Sequence, residues 1–436
     1  MTSTRPTHPA AARRPVRRAA LRLTSLALLS GLALTGCASS TTGTSSADTS
    51  STTTTISDAA AAASSSSSAT TTETISATAE AAEALLATLS DEQREAVLYD
   101  YDDETKTTSW SNFPVTFVER AGLNLTDLTE EQQTAAMAVL EALLSDEGYE
   151  TVTGIIGGDE FLAENSSSTE DSLGQYSIAF FGDPSDTEAW EVQFGGHHLG
   201  INATLDGTAD DITFAPTHLG SQPAVYTDED GDEVHSLAGM YETAFAFYDS
   251  LTDEQKAQLY QGEEVSNLVC APGDTCDYPT GTGISGAILT DEQKDLLLDV
   301  IANWVGLSDE ETTAAALTEI EATLDETYVS WSGATTYDMT QGDGISFQIS
   351  GPDVYIEFSN QQGSAGADVD GYTTSGWGHI HTIYRDPSED YAGSVTQQAG
   401  SGIGGGAGAP GGDGGTPPGD GEMPAGGPGG GTTTEG

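Results

Sequence analysis

Four histidines fall in two tight groups, and they are the strongest candidates for chemistry in this sequence. One group is the pair His197 and His198, and the other is His379 and His381, which are separated by one residue. On a β-strand, His379 and His381 would point to the same face because side chains alternate, whereas His197 and His198 would point to opposite faces. Three imidazoles are therefore expected to converge: His379, His381 and one of the first pair.

A set of converging imidazoles predicts a divalent transition-metal site of zinc or copper type. Glu357, on a neighbouring predicted strand, is a candidate fourth ligand or catalytic base. Glu357, Asp386 and Asn202 are the candidates to hydrogen-bond the second nitrogen of each ring. If the site exists, the rings should approach within roughly 3 to 5 Å of one another. Two alternatives stay open, in which the histidines bond backbone groups in the core or act as acid and base without a metal.

Arg385 is the last basic residue of the chain, and Asp386 follows it directly. An arginine among so many acids is expected to have a specific partner, either Glu357 or Asp386, or an anionic ligand. The other reading, which the sequence favours, is that it holds two chain segments together. Glu357, Arg385 and Asp386 are therefore the candidate catalytic residues. Two further histidines, His218 and His235, lie among proline, glycine and acidic residues and are predicted to be in loops.

The elements that must position these residues begin with a phrase that recurs four times, Leu-Ser/Thr-Asp/Glu-Glu-Gln. It starts at Leu89, Leu128, Leu251 and Leu289. In each copy the serine or threonine can act as the N-cap of a helix, and the glutamine three residues later can complete a capping box. The acids between them favour the positive end of the helix dipole. Each phrase therefore predicts the start of a helix.

Each pair of phrases is followed by a predicted hairpin and then by a histidine group. The predicted strands are 176–184 and 190–194 in the first half, and 345–353 and 354–358 in the second. The repeated order predicts an internal duplication of a helix-helix-hairpin-strand unit, with halves of about 85–235 and 236–393. The expected fold class is α+β, with antiparallel strands covered by helices.

The first forty residues have the layout of an export signal. Arginine-rich residues 1–22 contain no acid, and the apolar run at 23–34 ends in Leu34-Thr35-Gly36-Cys37. This ending resembles the lipobox of bacterial lipoproteins, so residues 1–36 are predicted to be a signal peptide and Cys37 the lipidation site. The apolar run is shorter than the roughly 20 residues of a spanning helix. The protein is thus expected to be exported and lipid-anchored at the outer face of the bacterial cell membrane.

Acidic residues dominate the remaining chain. After Gly36, six basic residues stand against 69 acidic ones, which gives a formal charge of −63. A field of this sign repels nucleic acid and anionic lipid headgroups, so neither is an expected partner. Because six cations can pair with few carboxylates, the acids are expected to form a solvated surface. Calcium binding and tolerance of high salt are the alternatives.

Cysteine and low-complexity segments complete the domain organisation. Cys270 and Cys276 flank a Pro-Gly turn, and outside the cell such a pair is predicted to form a disulfide. Residues 37–73 are rich in Ser, Thr and Ala, and residues 397–436 are rich in Gly and Pro, so both are predicted to be disordered. A folded acidic domain is therefore expected at 74–396.

Several of these motifs, taken in order, resemble the bacterial and fungal domain-of-unknown-function family numbered 3500. They are the runs 195–202, 219–224, 351–357 and 379–386, with the Gly-His-His-Leu and His-x-His-x-x-x-Arg-Asp motifs both present. The resemblance covers about 80–393 and implies a domain of this size, often exported, with no established activity. The chain departs from the family pattern in an insertion at about 363–376 and in the Cys270/Cys276 turn.

Two functions from different classes are consistent with the sequence. The first is a lipid-anchored domain with a divalent-metal site, acting as a metal-dependent hydrolase or a metal carrier. The second is a metal-free module that presents a cleft between its two halves to a small molecule or a cell-surface ligand.

Overall fold

All four repeated phrases open α-helices in the computed structural model. The N-caps are Ser90, Thr129, Thr252 and Thr290, and in each case the glutamine at the third helical position bonds back to the cap backbone. The capping boxes are therefore confirmed, and they satisfy backbone N–H groups that would otherwise lack partners at the helix starts. The structure describes residues 69–167, 174–262, 267–340, 343–363 and 367–398.

Eight α-helices form within these described ranges. They are α1 (Thr71–Thr88), α2 (Asp91–Val97), α3 (Glu130–Leu143), α4 (Asp146–Asn165), α5 (Ala238–Ser250), α6 (Asp253–Leu259), α7 (Asp291–Val305) and α8 (Glu310–Ala322). In the part of the chain that the structure describes, none of them is long and apolar enough to cross a membrane.

Fourteen β-strands accompany the helices in the same residues. They are β1 (Leu98–Tyr99), β2 (Leu123–Asn124), β3 (Ser177–Phe181), β4 (Ala189–Gly195), β5 (Leu199–Asp206), β6 (Asp211–Thr213), β7 (Thr217–Ser221), β8 (Tyr226–Thr227), β9 (Glu233–Val234), β10 (Ile284–Ser285), β11 (Tyr328–Gly333), β12 (Ile345–Ser350), β13 (Tyr355–Gln361) and β14 (Gly376–Arg385). The predicted hairpins correspond to β3 with β4 and β12 with β13.

Twelve of these strands form one sheet, and β8 and β9 form a separate pair. The main path of the sheet runs β1-β3-β4-β5-β7-β14-β13-β12-β11-β10, with β2 beside β3 and β6 beside β5. The β1–β3 pair is parallel, and the other pairs named here are antiparallel. Helices together with a mostly antiparallel sheet confirm the α+β class.

The sheet order separates the two predicted halves, which meet at the paired strands β7 and β14. Each half also contains a reciprocal glutamine pair between its two capping boxes. Gln132 donates to Gln93 at 3.1 Å, and Gln293 donates to Gln255 at 3.0 Å. These matching contacts favour the internal duplication, which stays a prediction.

Strand β14 is buried along its whole length, so both of its faces are covered. On one face, Trp304 of α7 donates to the Thr382 hydroxyl at 2.9 Å. Because side chains alternate along a strand, His379 and His381 point to the opposite face. Helix α7 therefore packs on one face of β14, and these histidines point to the other face.

The folded part is longer at both ends than the predicted range 74–396. Helix α1 begins at Thr71, with Thr70 as its N-cap, so these residues do not belong to a disordered stalk. At the other end, the Gln397 side chain donates to the Thr107 carbonyl at 2.7 Å. The predicted signal peptide, Cys37, and most of the stalk and tail lie outside the described residues.

Candidate metal centre

The two predicted histidine groups meet at one place in the sheet. His381 on β14 lies directly opposite Gly220 on β7, and the Gly220 N–H donates to the His198 carbonyl at 2.7 Å. The ring centroids of His198 and His381 are 5.4 Å apart. Gly220 packs against the main chain beside these rings and against the ring of His218. A Cβ atom at position 220 would lie 2.7 Å from the carbonyl oxygen of Ile380, which is closer than real contacts allow. The site therefore depends on a glycine between the two histidines.

Five imidazole rings form the resulting cluster: His197, His198, His218, His379 and His381. Ring centroids are 4.2 Å apart for His197 and His198, 4.9 Å for His379 and His381, and 5.5 Å for His218 and His381. Side-chain nitrogens of His197, His198 and His381 all lie within 4.8 Å of one another. The structure thus brings the two predicted groups together at about the expected separation.

Both members of the first pair take part, although only one was expected. The prediction was wrong because it placed His197 and His198 on a strand. Strand β4 ends at Gly195 and β5 begins at Leu199, so the pair lies in the turn between them and the alternation of strand side chains does not apply.

His218 is the ligand candidate that sequence reasoning missed. It was predicted to be in a loop, but it lies within β7 and is fully buried. The proline and glycine residues around it concealed the strand. The prediction for His235 is confirmed, because this residue follows β9 in a loop and its side chain is 43% exposed.

Three of the rings have one nitrogen fixed by an acceptor. His198 Nδ1 donates to Asp159 Oδ1 at 2.5 Å, His218 Nδ1 to the Thr382 carbonyl at 2.7 Å, and His379 Nδ1 to the Gly363 carbonyl at 2.8 Å. A carbonyl oxygen can only accept a hydrogen bond, and the same is true of an ionised carboxylate. Each of these Nδ1 atoms therefore carries the ring proton. In a neutral imidazole this leaves a lone pair on Nε2, which is the form that binds metals.

Several of the remaining nitrogens are buried without a hydrogen-bond partner among the described residues. They are His197 Nδ1, His198 Nε2 and His218 Nε2. Buried polar atoms without partners are unfavourable, so native structures contain few of them. The Nε2 atoms of His379 and His381 are 3.3 Å apart, and bonds of about 2.0 to 2.1 Å in a tetrahedron put ligand nitrogens about 3.3 Å apart. The residues therefore fit an imidazole-bound metal ion.

Asp159 is the carboxylate of the site, and it was not among the predicted residues. Its Oδ2 atom accepts a hydrogen bond of 2.7 Å from the Tyr176 hydroxyl, while Oδ1 binds His198. Burial raises the pKa of Asp159 to about 6. Asp159 occupies a position in the buried stripe of α4, between Ile155 and Leu162. An acid on an apolar helix face is the signal that could have revealed it.

Burial also keeps the imidazoles neutral. It lowers the pKa of His198 and His379 to about 3 and that of His218 to about 4. The pKa values of His197 and His381 are lowered well below the ordinary value by burial and by the neighbouring rings. Metal ligation needs unprotonated imidazole, so near neutral pH no proton has to be removed from these rings before they bind.

Arg120 fixes the turn that carries His197. Its guanidinium Nη2 donates to the carbonyls of Gly196, Ser111 and Phe113 at 2.6, 2.7 and 2.7 Å. Burial lowers the pKa of Arg120 to about 10. Because the acceptors are main-chain carbonyls, the arginine links the 111–118 segment to the residue before His197.

Glu357 was predicted to be a ligand or base, and the structure gives it another role. Its Oε2 atom accepts hydrogen bonds from the backbone N–H groups of Val269 and Cys270 at 2.8 and 2.9 Å. It is not in the group of ligand atoms formed by the histidines. Its carboxylate instead holds the start of the turn at Cys270 and Cys276, whose sulfur atoms lie at disulfide distance.

Asn202 was expected to support a histidine, but its side chain is engaged elsewhere. Its Oδ1 atom accepts from Gln193 at 2.6 Å, and its Nδ2 atom donates to the Pro216 carbonyl at 3.0 Å. The prediction for Asn202 is therefore wrong.

Arg385 holds chain segments together, which was one of the two readings of the sequence. It is fully buried, and its guanidinium lies 3.6 Å from the Asp390 carboxylate. It also donates to the Asp274 carbonyl at 3.0 Å and to Gln397 at 3.1 Å. Its acidic partner is therefore Asp390 and not Glu357 or Asp386.

Asp386 stabilises a turn. Its Oδ1 atom accepts from the backbone N–H groups of Ser388 and Glu389 at 2.8 and 3.1 Å. This pattern is that of an aspartate bonding to the backbone that follows it. The expected contact between Asp386 and a histidine ring is not among its bonds, so the prediction for this residue is wrong as well.

An α+β domain with a largely buried cluster of five histidines, formed where its two predicted halves meet, is the class that the fold and the site define. The family described as "Protein of unknown function (DUF3500)" matches residues 71–393, so the chain belongs to that family. The resemblance seen in the sequence is thereby confirmed. No curated protein and no solved structure matches the chain.

Proposed function

We propose that the five-histidine cluster binds a divalent transition metal, zinc or copper, and that the domain serves to carry this metal. The observation that supports this proposal most directly is the set of buried nitrogens without hydrogen-bond partners on His197, His198 and His218. Imidazole is a preferred ligand of both metals, and Cu²⁺ forms the stronger complexes of the two. The metal, when bound, would supply a strong positive charge to which the neutral rings of His197, His198 and His381 can donate.

The burial of the site favours carriage over catalysis. All candidate ligands are imidazoles, and His198, His218, His379 and His381 are buried. Catalytic zinc sites keep a coordination position open for water and often have a carboxylate base beside it. Here both oxygens of Asp159 are already bonded, to His198 and Tyr176.

A metal-dependent hydrolase is the second candidate, and one observation favours it. His197 is only partly buried, unlike the other four rings. A ligand position on its side of the cluster would be the one that solvent or a substrate reaches. Release of a chromogenic product from a phosphate or carboxylic ester by the zinc-loaded protein, lost in His198→Ala, would favour hydrolysis. Inactivity toward both esters combined with tight metal binding would favour carriage.

Direct metal binding tests the proposal itself. The full-length protein, stripped with a chelator, would be titrated with Zn²⁺ and Cu²⁺ in a calorimeter, and its metal content measured by mass spectrometry. We expect His198→Ala and His381→Ala to lose binding. His235→Ala is the matched control, because His235 lies outside the cluster and its side chain bonds Glu233. A folded wild-type protein that binds neither ion would leave the metal-free binding module as the better description.

The cellular location is a second part of the proposal, and it depends on the sequence motif alone. We propose that the protein is exported and anchored through lipidated Cys37 at the outer face of the bacterial cell membrane. Partitioning between detergent and aqueous phases tests this. Wild-type protein should enter the detergent phase and Cys37→Ser should stay in the aqueous phase. A mutant that still partitions into detergent would exclude the anchor.

A further inference from the structure

Asn112 contacts Nδ1 of His381, which no carbonyl or carboxylate acceptor fixes in the described structure. Its Nδ2 atom lies 3.2 Å from Nδ1 of His381. The Oδ1 atom of the same carboxamide is buried and has no hydrogen-bond partner among the described residues. Asn112 therefore presents its N–H donor to His381, while its own carbonyl oxygen has no hydrogen-bond donor among the described residues.

The hydrogen bonds of this arrangement determine where the proton of His381 sits. Asn112 Nδ2 donates to His381 Nδ1, so the ring proton must be on Nε2. That Nε2–H can donate to His379 Nε2, 3.3 Å away, because the His379 proton is held on Nδ1 by the Gly363 carbonyl. The bonds are mutually consistent, but they leave His381 without a lone pair on the nitrogen nearest to His379.

A half-turn of the Asn112 carboxamide exchanges the positions of its nitrogen and its oxygen. Oδ1 then faces His381 Nδ1 and accepts a proton from it, which places the lone pair on Nε2. The ring loses a proton from Nε2 and gains one on Nδ1 by exchange with water, so its charge does not change. In this state His381 matches His198, His218 and His379, whose Nδ1 atoms all donate to acceptors.

We propose that Asn112 is a positioning residue that selects the tautomer of His381, with its nitrogen facing the ring in the metal-free protein and its oxygen facing the ring when a metal is bound. This inference rests on the proposed metal site. It explains why a carboxamide, which can present either a donor or an acceptor to the same nitrogen, occupies this position. A fixed carbonyl would prevent the metal-free hydrogen bond between His379 and His381.

The test is the tautomer of His381, read from the side-chain nitrogen resonances of the ¹⁵N-labelled full-length protein. In the metal-free wild type we expect the proton on Nε2, and in the zinc-loaded form on Nδ1. Asn112→Asp presents only acceptors and should hold the proton on Nδ1 even without zinc. Asn112→Leu removes both bonds and should weaken zinc binding roughly 10- to 100-fold, whereas Asn112→Asp should restore it. Asn165→Asp, at an exposed position on α4, is the control for an added charge.

These measurements distinguish a failure of the Asn112 inference from a failure of the metal proposal. If the wild type binds no zinc, the proposed function fails, while the metal-free tautomers of the wild type and Asn112→Asp still test the role of Asn112. A metal-free wild type with the proton already on Nδ1 would overturn the inference. So would an Asn112→Leu variant that is folded, by circular dichroism, and binds zinc as tightly as the wild type. If the leucine variant does not fold, the nitrogen spectra of Asn112→Asp decide whether Asn112 selects the tautomer of His381.

Discussion

Nδ1 of His198 lies 2.5 Å from Oδ1 of Asp159, and both side chains are buried. The two residues come from different elements, since Asp159 is on α4 and His198 is in the turn after β4. A carboxylate that accepts from one nitrogen of an imidazole fixes the orientation of the ring and makes the other nitrogen a stronger ligand. The pair therefore connects the helical layer to the histidine cluster.

Asp159→Asn should weaken zinc binding roughly 10- to 100-fold, because it removes the charge that orients His198 while keeping the shape of the side chain. Zinc titration of the chelated full-length protein measures this. Tyr176→Phe is the matched control, since it removes the second bond of Asp159 and leaves the carboxylate in place. The phenylalanine variant should lose less affinity than the asparagine variant. Equal affinity of Asp159→Asn and wild type would show that the pair is only structural.

Acidification should destabilise the metal-free protein through the histidine cluster. Burial lowers the pKa of His198 and His379 to about 3 and that of His218 to about 4, below their ordinary value of 6.5. The unfolded chain therefore binds more protons, so the stability from these rings is present above pH 6.5 and is lost as the pH falls toward 4 and below. Each such ring contributes about 1.4 kcal/mol per pH unit to the slope.

Asp159 opposes this trend, because its pKa is raised to about 6 and its contribution is therefore lost as the pH rises through that value. Three histidines outweigh one carboxylate, so the net slope of the cluster is positive. Denaturant unfolding of wild type and His218→Phe between pH 7 and 5 isolates the effect, since the surface acids are common to both. The free energy of unfolding of the wild type should fall more steeply. Parallel curves would contradict the prediction.

The convergence of the histidines could be predicted because both groups follow matching pairs of predicted strands and histidine is scarce elsewhere in the chain after Cys37. The spacing of His379 and His381 fixes a shared face on any strand, and the four capping boxes depend only on neighbouring residues. The partners of the histidines could not be found in this way. Asp159 is brought to His198 by the packing of α4, and Asn112 reaches His381 from an irregular segment. No periodicity of the sequence specifies such contacts.

The hydrogen-bond partners of the candidate catalytic residues could not be predicted for a related reason. Glu357 was chosen because it lies on a neighbouring predicted strand, and Asp386 because it follows Arg385. The sequence does not specify which donors reach either carboxylate in the fold. Backbone N–H groups of the Cys270 turn occupy Glu357, and those of the next turn occupy Asp386. Main-chain donors therefore determine the role of both carboxylates.

Lys106 and Glu191 form a fully buried ion pair with a separation of 2.8 Å. Lys106→Met would leave the carboxylate of Glu191 buried without its counterion, although burial already raises the pKa of Glu191. We expect a loss of about 3 to 5 kcal/mol in the free energy of unfolding. The double variant Lys106→Met/Glu191→Met should recover most of this loss, because both charges are then absent. Additive effects of Lys106→Met and Glu191→Met in denaturant unfolding would contradict the interpretation.

The acidic surface should make the domain more stable as salt concentration rises. Of the six basic residues after Gly36, Lys106 and Arg385 are fully buried and Arg120 is partly buried, so only three can offset acids at the surface. Repulsion between carboxylates is screened as the Debye length shrinks from about 30 Å at 0.01 M to about 10 Å at 0.1 M salt. The melting temperature of the chelated protein should therefore rise with NaCl across this range. Millimolar CaCl₂ and MgCl₂ are the controls, and they should act alike if screening alone operates. A melting temperature that ignores NaCl but rises sharply with calcium would show that the acids form specific calcium sites instead of a solvated surface.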